Sequence, residues 1–472
     1  MKLSPFKLRL LVFAASTVAP LFATAVEDSR PNILVILSDD AGYADFGFTG
    51  GTDIPTPHLD RIASGGVYCK QGYVTASVCC PSRMGLMTGR YQQRFGAECN
   101  VPMHPTPGYT EQDLGMDTDE QNLGALLQDA GYRTAILGKW HLGEHDQYHP
   151  NPRGYDYFYG LLDGSRSYWA EPKFGEDHPK RILRNADPVN EQEELTYLTD
   201  DLTDEALQFI RTNADQPFFM FLSYTAPHGP LHARDDYLQE FAHIEDPKRQ
   251  KYAAMLHNMD DNIGRVLAVL DELELEDNTL IFFLNDNGGA TNNGSSNGAL
   301  RGAKGSYWEG GIRVPFLVKW PGKLPAGATY EEPVISLDIA PTALAAAGAP
   351  TPEQALDGRN LLPHLDGSNA SAPHEALFWR SWRVAVCRQG KWKLLAVRDD
   401  ALQAEREELL PLRLFNLEAD PGEQEDVAAS HPEVVAELSK QLSDWESELG
   451  APRWYDGNNW QHWQEVQVEN HR

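Results

Sequence analysis

The run Asn32-Ile33-Leu34-Val35-Ile36-Leu37 is followed directly by the polar residues Ser38-Asp39-Asp40. A continuous apolar run of this length predicts a strand that is buried on both faces, as in a parallel sheet. Three further runs have the same form and are also followed by polar side chains: 134–137 before Gly138-Lys139-Trp140-His141, 218–222 before Tyr224 and His228, and 279–284 before Asn285-Asp286-Asn287-Gly288. The sequence therefore predicts four buried strands, each followed by polar side chains that can bind ligands or take part in catalysis.

Helical patterns lie between these runs. The clearest is an apolar stripe at helical spacing, formed by Tyr252, Met255, Leu256, Met259, Ile263, Val266, Leu267 and Leu270. Shorter helices are predicted over residues 121–130 and 202–210. Strands that alternate with helices predict an α/β fold with a large, doubly wound, mostly parallel sheet and helices on both faces. Ligands of such sheets bind outside the carboxyl ends of the strands, so one pocket is expected to gather the four polar clusters.

The pattern changes after a loop-like segment at residues 350–373. Short strands are predicted over residues 377–382, 383–388, 391–397 and 412–417, with Gln389-Gly390 as a tight turn, and an amphipathic helix over 432–449. This pattern predicts a smaller C-terminal antiparallel sheet with a helix. We therefore divide the chain into a signal peptide (1–25), a catalytic α/β domain (26–370) and a C-terminal α+β subdomain (371–472).

The N-terminus has the form of an export signal. Lys2, Lys7 and Arg9 precede an apolar run at residues 10–22 and then Ala23-Thr24-Ala25. That run is too short to span a bilayer, and no later stretch is long and apolar enough to do so. We expect a protein without a membrane anchor that is exported to the periplasm or secreted.

Charge and cysteine content narrow the function further. The 472-residue chain has a formal net charge of −29, which argues against nucleic acid as a partner. The same charge would repel a polyanionic substrate at long range, so such a ligand would need a local basic pocket. The five cysteines form an odd number, which in an exported chain indicates one special thiol, and the pairing of the other four stays open.

The stretch Cys79-Cys80-Pro81-Ser82-Arg83 contains the best candidate for that thiol. Pro81 suits the first turn of a helix, which places Cys79 at or just before a helix N-terminus. Helix N-termini attract anions, and Arg83 adds a guanidinium that can bind sulfate, phosphate or carboxylate in a bidentate manner. A lone cysteine is more often a buried structural residue, but here a nucleophile and two anion-binding features converge.

Together with Thr88-Gly89-Arg90, this stretch resembles the maturation signature of the type I sulfatases of the alkaline phosphatase superfamily, and the chain as a whole resembles exported bacterial polysaccharide sulfatases and arylsulfatases. In that family the cysteine is oxidised by a formylglycine-forming maturation enzyme, and the hydrated aldehyde is the nucleophile. The resemblance implies that Cys79 becomes formylglycine (3-oxoalanine), because Pro81 and Arg83 stand at the required offsets. Cys80 then fills the variable position.

Two pairs of residues with side-chain oxygens follow predicted strands: Asp39-Asp40 and Asp286-Asn287. Their oxygen ligands suit calcium or magnesium rather than zinc. Asp pairs after strands also cap helices and form turns, and one such pair alone would favour this structural role over metal binding. The resemblance implies that these four residues and the modified Cys79 hold one calcium ion.

The resemblance also assigns roles to four further residues. Lys139 and His141 resemble the sulfate-binding lysine and the histidine beside the formylglycine, and Lys304 resembles the lysine that contacts the sulfate and the leaving oxygen. His228, in Ala-Pro-His-Gly-Pro, resembles the second active-site histidine. The implied reaction is covalent hydrolysis of a sulfate ester, in which His228 protonates the leaving alcohol and His141 accepts the proton that frees the sulfate.

The substrate is less sharply indicated. The aromatic segments 154–159 and 165–169, and the tail residues Trp454, Tyr455, Trp460 and Trp463, suit sugar rings, but such residues are as often core. We expect a sulfated polysaccharide or oligosaccharide, such as a marine galactan. A phosphonate or phosphate ester hydrolase of the same superfamily and a catalytically inactive sulfated-glycan-binding protein are the alternatives.

Overall fold

The computed structural model describes Met1 and residues 30–101, 108–170, 180–381, 384–397 and 411–454. Apart from Met1, the predicted signal peptide lies outside the described residues, as do Tyr455, Trp460 and Trp463 of the tail. None of the helices within the described ranges combines the length and apolarity that a bilayer crossing requires.

The described strands form three sheets. In chain order the strands are β1 (Asn32–Ser38), β2 (Val67–Cys69), β3 (Gly72–Tyr73), β4 (Arg133–Lys139), β5 (Tyr157–Leu161), β6 (Leu183–Arg184), β7 (Asp187–Pro188), β8 (Phe218–Ser223), β9 (Thr279–Asn285), β10 (Arg313–Val314), β11 (Phe316–Lys319), β12 (Ala328–Tyr330), β13 (Val334–Ile335), β14 (Leu377–Ser381), β15 (Val384–Gln389), β16 (Trp392–Val397) and β17 (Arg413–Asn416). The main sheet has ten strands in the order β12-β2-β11-β9-β1-β8-β4-β5-β6-β7.

The four strands predicted from the apolar runs are β1, β4, β8 and β9, and they are adjacent at the centre of this sheet. The pairs β9/β1, β1/β8 and β8/β4 are all parallel. Leu37 pairs with Ser223, Ser38 with Asn285 and Gly138 with Ser223, so the four carboxyl ends meet at one edge. The predicted mostly parallel α/β sheet is confirmed, and the polar residues after each strand lie together.

The described helices are α1 (Pro57–Gly65), α2 (Cys79–Thr88), α3 (Leu123–Asp129), α4 (Glu191–Glu194), α5 (Leu198–Thr212), α6 (Asp235–Glu240), α7 (Pro247–Glu272), α8 (Glu309–Ile312), α9 (Ile339–Ala347), α10 (Leu362–Leu365) and α11 (Pro432–Glu446). Helices pack on both sides of the main sheet, whereas α11 packs against the sheet formed by β14–β17. Helices α2, α3 and α9 share one apolar core with Ile33, Val35 and Leu37 of β1, whereas α1, α5 and α7 share the other with Leu34 and Ile36. Alternate side chains of a strand point to opposite faces, so β1 contributes to both cores.

The sheet is more mixed at its flanks than the apolar runs indicated. Strand β11 pairs antiparallel with β9 and β2, and β6 pairs antiparallel with β5 and β7. A second sheet has the order β10-β3-β13 and consists of two-residue strands. Strands of two or three residues carry no readable periodicity, which is why the sequence did not reveal them.

The C-terminal elements form the predicted antiparallel sheet, in the order β14-β15-β16-β17, with α11 packed against it. The predicted turn is one residue too early: β15 includes Gln389, and the turn consists of Gly390 and Lys391. Gly390 has φ +53°, a conformation that glycine adopts without a steric penalty. The core of this sheet also contains Tyr73 and Trp308 of the preceding region, while the domain boundary between residues 370 and 371 stays a prediction.

Candidate active site

Helix α2 begins at Cys79, as predicted from Pro81, and Val78 is its extended N-cap residue. The Cys79 side chain is 2% exposed, and its Sγ lies 3.7 Å from Asp39 Oδ1 and 3.2 Å from Lys304 Nζ. Burial opposes ionisation of the thiol, but the charges of Lys139 and Lys304 lower the pKa of Cys79 to about 7. The first residue of α2 is therefore an activated group beside two cations.

Cys80 has different surroundings from its neighbour. Its side chain is fully buried in the apolar core beneath α2, and its backbone N–H donates to Asn100 Oδ1 at 3.1 Å. Burial raises the pKa of the Cys80 thiol to about 12. Of the two adjacent cysteines, only Cys79 faces charged groups that suit chemistry.

Asp39 and Asp40 follow β1, and both side chains are buried. Asp39 Oδ2 accepts a hydrogen bond from Lys139 Nζ at 2.7 Å, and Asp40 Oδ1 lies 2.6 Å from Lys304 Nζ. Burial opposes ionisation of Asp40, but the Lys304 and His228 charges hold the pKa of this carboxyl well below its usual range. Asp40 also has φ +61°, and such backbone conformations cluster at functional sites.

Asp286 and Asn287 follow β9 and meet the first acidic pair, as the parallel ends of β1 and β9 require. Asp286 Oδ1 accepts a hydrogen bond from the Asp40 N–H at 3.4 Å, and Asn287 Nδ2 donates to Asp40 Oδ1 at 2.8 Å. Burial and the Asp39 charge raise the pKa of Asp286. Three carboxylates and one amide thus form a compact group of oxygen donors.

Arg83 connects this group to the neighbouring strands. Its Nε donates to Asp286 Oδ2 at 2.9 Å, and its Nη1 donates to Ser223 Oγ at 2.6 Å and to the Lys139 carbonyl at 3.1 Å. Ser223, the last residue of β8, in turn donates to the same carbonyl at 2.7 Å. The sequence analysis did not identify Ser223, whose only local signal is its place directly after the apolar run 218–222.

The two predicted histidines lie in opposite electrostatic environments. His228 Nε2 is 3.4 Å from Asp40 Oδ2; burial opposes its protonation, but the charges of Asp39 and Asp40 raise the pKa of His228 to about 9. For His141, burial and the positive charges of Lys139 and Arg83 lower the pKa well below its usual value. These opposed pKa shifts suit His228 to donate a proton and His141 to accept one, as an acid–base pair requires.

The local backbone fixes His141. Its φ is +59°, and a Cβ built on Gly164 would lie 2.6 Å from the imidazole ring, so only glycine leaves room for the ring at that position. His141 Nδ1 is buried and has no hydrogen-bond partner among the described residues. A buried nitrogen without a partner is costly unless a ligand or a reacting group satisfies it.

The group contains a set of candidate metal ligands. One ligand atom each from Asp39, Asp40, Cys79 and His228 lies within 4.8 Å of the others. Asp286 and Asn287, which we predicted as ligands, border this set through their contacts with Asp40. His228 was predicted only as a catalytic residue, so its place among possible ligands is an addition.

The aromatic residues that were predicted to suit sugar rings differ in their exposure to solvent. In residues 154–159, Tyr155, Phe158 and Tyr159 are buried, and Trp454 is fully buried, so these side chains are unavailable to a sugar. Trp169, in contrast, is 41% exposed. Tyr168 is buried beside it and donates from its hydroxyl to the carbonyls of Thr225 and His228, at 2.7 and 3.0 Å.

Models of two known protein families match this chain. The model of the Sulfatase family matches residues 31–349, which span all of the strands and residues described above for the site. A second model, of the C-terminal region of N-sulphoglucosamine sulphohydrolase, matches residues 303–448.

Characterised relatives and solved structures agree with the family models. Human steryl-sulfatase is 33% identical over 433 residues, covering 74% of this chain and 72% of that protein, and human N-acetylgalactosamine-6-sulfatase is 33% identical over 449 residues, covering 87% and 84%. The structure of Ps i-CgsB in complex with k-i-k-neocarrahexaose is 34% identical with a TM-score of 0.82, over 94% of this chain and 99% of that chain. The PsFucS1 sulfatase from Pseudoalteromonas sp. is 26% identical with a TM-score of 0.74, over 89% and 90%. With more than half of its length matched by one family model and two relatives 33% identical to it, this chain belongs to the sulfatase family of the alkaline phosphatase superfamily and is a sulfatase.

Proposed function

We propose that this sulfatase removes sulfate from a sulfated glycan, such as a marine galactan, through a formylglycine at position 79 and one calcium ion. The observation that carries the proposal is the arrangement around Cys79. Its Sγ lies against Lys304 and Asp39 at the start of α2, while Cys80 faces the core. This difference between the two cysteines supports position 79, rather than position 80, as the reactive one.

The residues present fit a hard divalent cation. Asp39, Asp40 and Asp286 supply carboxylate oxygens, and Asn287 Oδ1 is buried without a hydrogen-bond partner among the described residues. That amide oxygen, beside three carboxylates, matches the all-oxygen preference of calcium. Asp39, Asp40, Asp286 and Asn287 would hold the ion, which would supply positive charge against the sulfate oxygens.

A formylglycine at position 79 would supply a carbon with two hydroxyls, one to attack sulfur and a second to let the sulfate leave. Lys139, Lys304 and Arg83 are buried or partly buried cations around this position. They would bind the sulfate oxygens and stabilise the charge that develops there. The pKa of His228, raised to about 9, keeps a proton available for the leaving alcohol near neutral pH, and neutral His141 can accept the proton of the second hydroxyl.

The glycan substrate is supported by the structural neighbours and by Trp169. Ps i-CgsB, 34% identical to this chain, was solved with k-i-k-neocarrahexaose. Trp169 exposes 41% of its surface, and its ring lies 4.9 Å from that of Tyr197, whose hydroxyl donates to the His232 carbonyl at 2.9 Å. Trp169 adjoins Tyr168, which bonds to the loop at residues 224–234, here called the His228 loop. An exposed indole beside this loop suits a sugar face.

Export and maturation complete the proposal. The basic and apolar leader at residues 1–25 favours export to the periplasm or outside the cell. A formylglycine-forming enzyme is then a required partner of the chain. Fractionation of expressing cells, with N-terminal sequencing of the mature protein, tests the leader: full-length protein retained in the cytoplasm would refute export.

A substrate panel tests the function. Protein produced with a formylglycine-generating enzyme is incubated with sulfated galactan oligosaccharides, sulfated glycosaminoglycan oligosaccharides, an aryl sulfate and a phosphonate monoester, and released sulfate or phosphonate is quantified. We expect higher kcat/KM for one glycan class than for the aryl sulfate. Hydrolysis of the phosphonate ester without desulfation of any glycan would favour the phosphonate hydrolase instead, and binding of a glycan without turnover would favour the inactive binding protein.

A further inference from the structure

A buried group of charges connects the C-terminal sheet to the region that carries Lys304. Lys393, in β16, is fully buried, and its Nζ lies 3.0 Å from Glu309 Oε1 and 2.8 Å from Glu423 Oε1. Glu309 is the first residue of α8, and its other oxygen accepts a hydrogen bond from Tyr73 Oη at 2.6 Å. Fully buried ion pairs are costly to desolvate, so such a group calls for an explanation beyond stability.

Glu423 also accepts hydrogen bonds from the region that carries Lys304. Its Oε2 accepts a hydrogen bond from the Glu309 backbone N–H at 2.6 Å, at the start of α8. Its carbonyl accepts from Arg301 Nη1 at 2.8 Å, and the Arg301 guanidinium lies 3.7 Å from the ring centre of Trp308. One residue of the C-terminal region thus holds both ends of the segment 301–309, which we call the Lys304 loop.

The Lys304 loop is closed on itself and lies against the catalytic region. The Gly310 N–H donates to the Arg301 carbonyl at 2.7 Å, which closes the base of the loop. The Lys304 N–H donates to the Gly289 carbonyl at 3.1 Å, and the Gly305 N–H donates to the Ser77 carbonyl at 2.8 Å. These bonds place Lys304 Nζ 3.2 Å from Cys79 Sγ and 2.6 Å from Asp40 Oδ1.

We infer that Lys393 and Glu423 are positioning residues for Lys304, and that the C-terminal subdomain acts on catalysis through them. Glu423 fixes the two ends of the Lys304 loop, and Lys393 Nζ lies within 3.0 Å of both Glu423 and Glu309 and so links their side chains. Loss of either contact lets the loop move, and an ammonium that shifts by an ångström no longer matches the reacting oxygen. The catalytic part of this inference rests on the proposed role of Lys304.

The first test replaces the buried cation. In Lys393→Met, amide hydrogen exchange followed by mass spectrometry should show at least about tenfold faster exchange in the Lys304 loop, with unchanged protection of β1. The kcat should fall about tenfold or more, with a smaller change in KM, because the proposed role of Lys304 is in the reaction of substrate that is already bound. Lys440→Met is the matched control, since Lys440 forms an exposed pair with Asp444 on α11 and should change neither quantity.

The second test separates the hydrogen bond from packing. Glu423→Ala removes the acceptor for the Glu309 N–H and should reproduce the loss, while Glu423→Gln keeps an acceptor oxygen and should restore the loop protection and most of the kcat. Loop exchange that stays at the wild-type level in folded Lys393→Met and Glu423→Ala would overturn the inference. Faster loop exchange with unchanged kcat would confirm the mechanical link and refute the role proposed for Lys304.

Discussion

Arg83 Nη1 donates to Ser223 Oγ across 2.6 Å, and this bond holds the guanidinium between the ends of β4 and β8. Hydrogen bonds to charged groups contribute about 1.5–3 kcal/mol, so Ser223→Ala should lower kcat about tenfold or more by loosening Arg83. Steady-state kinetics on an aryl sulfate measures the effect. Thr203→Ala, which deletes a buried hydroxyl bonded to Tyr224, is the control and should leave kcat near wild type. An unchanged kcat in Ser223→Ala would show that Asp286 and the Lys139 carbonyl are sufficient to hold Arg83.

The two adjacent cysteines give a paired prediction. Cys79→Ala should leave a folded protein that binds substrate without turnover, because no carbon with two hydroxyls can form. Cys80→Ser should keep the aldehyde at position 79 and much of the activity, with some loss of stability from a hydroxyl in the apolar core. Peptide mass spectrometry across residues 78–83 shows which of the two positions carries the aldehyde. Active enzyme with an unmodified Cys79, or with the aldehyde at position 80, would refute the mechanism.

Asp286 tests the metal assignment. Asp286→Ala removes one oxygen donor and leaves Arg83 without its 2.9 Å partner, so bound calcium and most of the activity should be lost while the protein stays folded. Metal content measured by mass spectrometry, together with circular dichroism, checks both parts. The exposed carboxylate variant Asp444→Ala should bind metal as the wild type does. Stoichiometric zinc without calcium or magnesium in active enzyme would refute a calcium site.

The buried Glu423 predicts how stability depends on pH. Burial and the Glu309 charge raise the pKa of Glu423 to about 7, so between about pH 4.5 and 7 the folded state binds a proton that the unfolded state has released. The free energy of unfolding therefore falls as pH rises through this window, by about 3 kcal/mol at most. Glu423→Gln should lack this contribution. Urea unfolding of both proteins from pH 4.5 to 8 measures it, and parallel curves would show that Glu423 titrates normally.

Trp169 predicts a difference between large and small substrates. Trp169→Ala should lower kcat/KM for a glycan sulfate about tenfold, which corresponds to roughly 1.4 kcal/mol of lost stacking, and leave an aryl sulfate unaffected. Trp169→Phe keeps an aromatic face and should retain most of the glycan activity. Equal losses on both substrates would assign Trp169 to the structure of the His228 loop rather than to sugar binding.

The central strands were predictable because their apolar runs are long and the residues that follow them are polar. Parallel strands align their carboxyl ends, so Asp39, Lys139 and Asp286 were expected in one place, and they meet there. Helices α7 and α11 were predictable from their periodic stripes.

The contacts that the sequence did not reveal depend on tertiary structure. Ser223 is one hydroxyl after an apolar run, and nothing local distinguishes it from a strand-end serine without a function. The Lys393, Glu309 and Glu423 group joins residues up to 114 positions apart, and single charged residues in a strand or loop are normally expected at the surface. Two-residue strands such as β10 and β13 depend on pairing partners rather than on their own composition.

The burial of Cys79 has a consequence for the order of events in biosynthesis. With 2% of its surface exposed at the start of a helix that is buried along its whole length, the side chain is out of reach of a second enzyme once the chain has folded. The oxidation proposed for this residue would therefore have to precede folding, and the two processes would compete in time. A chain that folded before the maturation enzyme acted would stay inactive although it is folded. The specific activity of a preparation thus reports the fraction of chains that were modified first, and adding the maturation enzyme to folded protein should not increase it.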